Sequence, residues 1–212
     1  MKRTGEKKDP FSALVEAIVR ADVTTATAML AASPDLARQR AVQGADRQQA
    51  EDSFFEEITH YMYEGDSALH MAAASYQKEI AADLIAKGAD VRARNRRGAE
   101  PLHYASDGVP GSRRWDPSAQ AATIAILIAA GADPNSLDKS GVAPLHRAVR
   151  TRCAAAVEAL LQGGADVSAR NKSGSTPLLL ARQKTGRGGS GSAEARAQQE
   201  EILRLLQAHG AT

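Results

Sequence analysis

Apolar positions in this chain recur on two scales. Over short windows they fall three and four residues apart, as at Val157, Leu160 and Leu161, which is the spacing of one buried helical face. On this pattern helices are predicted over residues 80–87, 121–130, 155–162 and 193–209, each closed by a glycine that tolerates left-handed φ. Another pair, 11–20 and 24–32, stops at Pro34. Residues 48–59 also read as a helix, whose apolar side would cover the neighbouring unit. Thr176 is a good N-cap, and Pro177 fits the first helical position, where a missing N–H costs nothing.

The longer scale is a repeat. Ser67-Ala68-Leu69-His70 returns as Glu100-Pro101-Leu102-His103, Ala143-Pro144-Leu145-His146 and Thr176-Pro177-Leu178-Leu179. A second marker, Gly88-Ala89-Asp90, returns as Gly131-Ala132-Asp133 and Gly164-Ala165-Asp166. His70 and His103 stand 33 residues apart, as do His146 and Leu179. A period of this size carrying a T-P-L-H-like turn resembles the ankyrin-repeat family. The resemblance implies an all-α solenoid of helix-turn-helix units with short β-hairpin fingers, here at 91–98, 134–141 and 167–174. It also implies a non-catalytic module that binds another protein on a concave face.

On this reading residues 1–10 are disordered and 11–212 form one domain. That domain comprises a degenerate N-terminal unit (11–37), an acidic and aromatic insert (38–64) and repeats at 65–97, 98–140, 141–173 and 174–212. The polar face of the last helix, with Gln198, Gln199, Glu200, Glu201, Arg204 and Gln207, suits a terminal repeat that must meet water.

Charge refines this picture. The net charge is only +2, yet residues 46–66 hold seven acids against Arg47, while 139–157 and 167–193 hold no acid. A basic C-terminal half keeps a second reading open, the binding of nucleic acid or a phosphorylated ligand. The single cysteine, Cys153, excludes an intrachain disulfide framework. Residues 1–9 lack the apolar stretch of a secretory signal, and the longest apolar run, 121–130, is too short to span a bilayer. A cytoplasmic monomer is expected, with no cofactor.

The period is interrupted twice. His103 and His146 are 43 residues apart and Gly164 and Gly210 are 46, the surplus falling at 106–120 and 183–192. Both inserts should leave the same edge of the stack. The first holds Arg113, Arg114 and Trp115, and the second holds Arg187 just after Lys184. Either they grip a partner or they are drifted loops with the tryptophan folded back. The resemblance further places Met71, Tyr104, Arg147 and Leu180, and Ala74, Asp107, Arg150 and Gln183, as partly exposed columns in the concavity. Tyr104, Trp115, Arg113, Arg114, Arg147, Arg150, Arg152, Lys184 and Arg187 are therefore the candidate contacts for an acidic or extended partner segment.

Catalytic chemistry finds little support. The three repeat histidines cannot share an ion, because packed helices lie about 8–10 Å apart and zinc–nitrogen bonds are about 2 Å. The resemblance gives them hydrogen bonds to the backbone of their turns instead. Residues 185–192 lack the phosphate-loop pattern, and no histidine–carboxylate arrangement can be placed beside Cys153.

Overall fold

The computed structural model describes residues 9–46, 51–112, 115–183 and 193–212, so the leader expected to be disordered lies outside them over 1–8. Among these residues ten α-helices pair in chain order: α1 (Pro10–Val19) with α2 (Val23–Ala32), α3 (Ala68–Ala74) with α4 (Lys78–Ala86), α5 (Pro101–Ala105) with α6 (Pro117–Ala129), α7 (Pro144–Thr151) with α8 (Ala154–Gln162), and α9 (Pro177–Arg182) with α10 (Ala193–Ala208). Odd-numbered helices pack against one another in one row and even-numbered helices in a second. The chain is thus an all-α repeat solenoid. Leu69, Leu102, Leu145 and Leu178 of the four turn markers are all buried in one continuous core.

The turn histidines tie the stack together. In each case Nδ1 accepts the backbone N–H of the residue three before it: Ser67 to His70 and Glu100 to His103 at 3.1 Å, Ala143 to His146 at 3.2 Å. This bond fixes the neutral tautomer, so Nε2 carries the proton and donates to a carbonyl of the next repeat. The acceptors are Ala99 O at 3.2 Å, Val142 O at 3.0 Å and Ser175 O at 3.1 Å. In the last repeat Leu179 replaces the histidine, and the Thr176 hydroxyl accepts the Leu179 N–H at 3.2 Å instead.

Each finger is a tight turn in which an Asn or Asp side chain organises the backbone. Asn95 Oδ1 accepts from Arg97 N (2.8 Å) and Ala99 N (3.1 Å), and Asp138 and Asn171 repeat the pattern. No strand is assigned to these fingers. The only strands among the described residues lie in the acidic insert, where β1 (Phe54–Phe55) pairs antiparallel with β2 (His60–Tyr61). This corrects the helix expected over 48–59, of which 48–50 lie outside the described residues. Phe54, Phe55 and Ile58 do match helical spacing, but Thr59 turns the chain at φ +52 and the Phe54 and Tyr61 rings meet across the strands at 4.7 Å. Aromatic cross-strand pairing wins.

The histidine bridges predict a pH-dependent stability. Burial lowers the pKa of His70 and His146, and burial with the nearby Arg147 charge lowers that of His103 to about 3. The folded state therefore binds fewer protons than the unfolded chain below about pH 6.5. The stabilisation is complete above that pH and is lost as pH falls toward the folded-state value. The urea midpoint should drop between pH 7 and pH 5, above the usual carboxylate range, and His103→Gln should shallow the drop. A midpoint unchanged over that interval would contradict the neutral-histidine assignment.

Candidate functional site

First and second helices of a repeat meet at a sharp corner, where a non-glycine residue takes left-handed φ: Ala21 (+58), Tyr76 (+55) and Arg152 (+61). Among its described residues the α5–α6 unit has no such corner. Its first insert occupies the place and folds back over the ends of the odd-numbered helices. Gln120 Nε2 donates to Ala105 O (2.9 Å) and Asp107 O (3.2 Å), while Trp115 Nε1 donates to Gln120 Oε1 (2.8 Å). The Tyr76 hydroxyl donates to Asp107 O at 2.5 Å. Gly108 fits because a Cβ there would stand 2.6 Å from Cys153 Sγ.

The β1–β2 hairpin faces this insert from the other side. Between them lies a groove of about 870 Å³, floored by the ends of α1, α3, α5 and α7. Its walls include His60, Tyr61, Tyr63, Val109 and Trp115, with Arg97 and Arg150 also lining it. Tyr61 and Val109 are respectively 37% and 45% exposed, as large apolar surface at a groove of ligand size.

Two polar networks support the groove. In one, the buried Tyr104 hydroxyl donates to Asp66 Oδ2 (2.7 Å), and Asn95 Nδ2 donates to both Tyr104 Oη (2.9 Å) and Asp66 Oδ1 (2.8 Å). The His60 ring stacks on Tyr104 at 4.3 Å. In the other, Arg147 spans two carboxylates, Nη1 to Asp107 at 2.9 Å and Nη2 to Asp138 at 3.1 Å. Arg150 and His60 approach the same Asp107 carboxylate at 3.9 Å. Burial alone would raise the Asp107 pKa, but the Arg147 guanidinium, His60 and Arg150 outweigh it and hold the carboxyl well below its usual range. Burial likewise opposes the Arg147 charge, and the two carboxylates more than compensate.

Four of the candidate contacts, Tyr104, Trp115, Arg147 and Arg150, converge on the groove. The exposure expected of the concave columns needs correction. Tyr104 is 1% exposed, Arg147 9% and Arg152 4%. Tyr104 is drawn inward by Asp66 and Asn95, and Arg147 by its two acids. Arg152 has turned toward α9, with Nη2 3.5 Å from Gln183 O, and does not line the groove. Trp115 is half-buried and packs against the core, as a folded-back loop would have it, while still lining the groove. Arg150 is exposed. Arg113, Arg114, Lys184 and Arg187 lie outside the described residues. His60 carries no ligand spacing in the sequence, because only the hairpin brings it to Asp107, far along the chain.

Residues 127–181 match a family model described as ankyrin repeats in many copies, and residues 64–96 match the model for a single ankyrin repeat. No curated protein matches the chain.

The burial difference between two nearby arginines has a measurable consequence. Arg147→Ala should cost about 3–5 kcal/mol, because it strands two partly buried carboxylates. Arg150→Ala should cost about 1 kcal/mol or less, as expected for an exposed ion pair. Chemical denaturation of the two variants checks this, and equal losses would refute the assignment of Arg147 as a structural bridge.

Proposed function

We propose, from the premise that the chain belongs to the ankyrin-repeat family, that it binds an extended segment of a partner protein in the groove between the hairpin and the first insert. Ankyrin repeats generally mediate protein–protein interactions and are typically non-catalytic. The observation that carries the finer reading is the groove itself, whose volume of about 870 Å³ and mixed aromatic and cationic lining suit a short peptide stretch. An aromatic or aliphatic side chain of the partner would seat against Tyr61, Val109 and Trp115. A carboxylate beside it would be drawn to Arg150 and Arg97, which remain at the surface. Aromatic rings and arginine are the side chains on which binding energy concentrates.

Tyr104 and Arg147 then act as positioning residues, setting His60 and Asp107 in the wall, and Arg152 is structural. The nucleic-acid reading is the weaker one. Arg147, the centre of the basic half, is already matched by Asp107 and Asp138 and adds little net positive field.

Screening a peptide-display library against the protein tests the proposal. Enriched peptides should combine an apolar anchor with an acidic residue. Tyr61→Ala and Arg150→Ala should each weaken such a peptide at least about tenfold, the scale of a hot-spot truncation, while the melting temperature stays nearly constant. Undiminished binding to both variants would remove the groove as the site. Binding to an oligonucleotide that falls steeply with salt would favour the nucleic-acid reading instead.

A further inference from the structure

The fingertips form a charged surface distinct from the groove. Three equivalent turns end at Gly98, Gly141 and Gly174, each with left-handed φ, and the residue two before each glycine is Arg96, Lys139 or Lys172. Each of these residues donates its backbone N–H to the segment before it in the stack: Arg96 to Glu64 O of the acidic insert (2.9 Å), Lys139 to Arg97 O (2.9 Å) and Lys172 to Ser140 O (3.2 Å) of the preceding fingers. The fingers are therefore locked in register. The two lysine stems also repeat one packing arrangement, since a Cβ on Gly98 or Gly141 would fall 3.1 Å from Cγ of Lys139 or Lys172. The glycines make room for these stems as well as for the turn.

All three cationic residues are exposed. Arg96 is partly engaged, donating to Ala45 O and lying 5.5 Å from the Tyr63 ring centroid. The acid nearest Lys139 in sequence, Asp138, is committed to Arg147 at 3.1 Å, and that nearest Lys172, Asp166, accepts from the Ser168 N–H and hydroxyl at 2.8 and 2.6 Å. No Asp or Glu occurs over 139–157 or 167–193. The cationic residues thus recur once per finger, and the spacing of packed helices, about 8–10 Å, sets the expected interval between them.

We propose that the column of Arg96, Lys139 and Lys172 is a track for an extended acidic segment of a protein partner that carries a carboxylate at every third residue. A polyproline II helix has three residues per turn and rises about 3.1 Å per residue, so every third side chain returns to the same face after about 9.3 Å. That interval matches the repeat spacing. A β-strand returns to one face after about 6.6 Å or about 13 Å and misses it. Acid-rich chains also repel themselves into extended forms, which lowers the cost of ordering them on the track. Each exposed ion pair contributes little and is screened by salt, so the track depends on register across several fingers. It does not rest on the groove reading.

Two labelled peptides of identical composition test it, one with aspartate at every third position and one with aspartate at alternate positions. Fluorescence anisotropy at low salt should show the first binding about fivefold or more tightly, in line with a few weak pairs brought into register. The Lys139→Ser/Lys172→Ser double variant should abolish that preference, and Lys172→Glu should reduce it further than neutralising Lys172 alone. Far-UV circular dichroism establishes that these surface variants remain folded. Tyr61→Ala, a groove change, should leave the preference intact. Equal affinity for the two peptides overturns the proposal, as does equal affinity for a single-stranded oligonucleotide. Retention of the preference by the double variant overturns it too. Loss of binding in Tyr61→Ala would move the acidic segment into the groove and equally overturn it.

Discussion

The stack depends on one interaction, a buried neutral imidazole that uses both ring nitrogens on backbone. Nδ1 of His70, His103 and His146 caps its own helix, and Nε2 reaches the carbonyl just ahead of the next helix pair. One side chain therefore sets the start of a helix and the distance to its neighbour. Because acceptance at Nδ1 requires the neutral ring, burial is a condition of the arrangement as well as its result. The finger turns inherit their position from it, since Ala99, Val142 and Ser175 close the same turns that Asn95, Asp138 and Asn171 organise. Finger register, groove floor and cation column all follow from that spacing.

With the stack fixed, individuality resides where the period breaks. A sharp left-handed corner is the economical way to join two helices of a repeat, and three units use it. In the α5–α6 unit the added chain lies back across the helix ends and brings the Asp107 carboxylate to Arg147. The acidic insert, distant in sequence, closes the other side with a hairpin whose His60 rests on Tyr104. Neither segment makes a groove alone. The two inserts were expected either to grip a partner together or to be drifted loops; residues 184–192 of the second lie outside the described residues, and across the groove the first faces the hairpin.

The repeat markers and the helix pairs were legible in the sequence because local chemistry specifies them, while the backbone role of the histidines came from the family resemblance. Period, cap and glycine positions agree with one another, and the helix limits move by only a few residues. The acidic insert was not legible, since Phe54, Phe55 and Ile58 satisfy a helical period and a two-residue strand pair equally well. Only cross-strand contact and the Thr59 turn decide between them. The arginine columns misled for a related reason. Position within the repeat places Arg147 in the concavity, but whether it faces solvent depends on Asp107 and Asp138, one in an insert and one in a finger. Long-range pairing of charge leaves no periodic signal.

That pairing also determines what the surface offers. A net charge of +2 conceals arginines of two kinds. Arg147, held between acids of an insert and a finger, is withdrawn into the framework, whereas Arg40 and Arg92 meet acids of other segments, Asp90 at 3.1 Å and Asp133 at 3.5 Å, and stay exposed. In the same finger Arg94 pairs with Glu100 at 3.4 Å, while Arg96 and Arg97 meet backbone and the Tyr63 side chain and keep their charge at the surface. Arg97, for example, donates to the Tyr63 hydroxyl at 2.9 Å and covers its ring at 4.9 Å, which satisfies its geometry without neutralising its charge. A charge pattern read along the chain overstates the concave face, because pairing with Asp107 and Asp138 removes the charge of Arg147 from it.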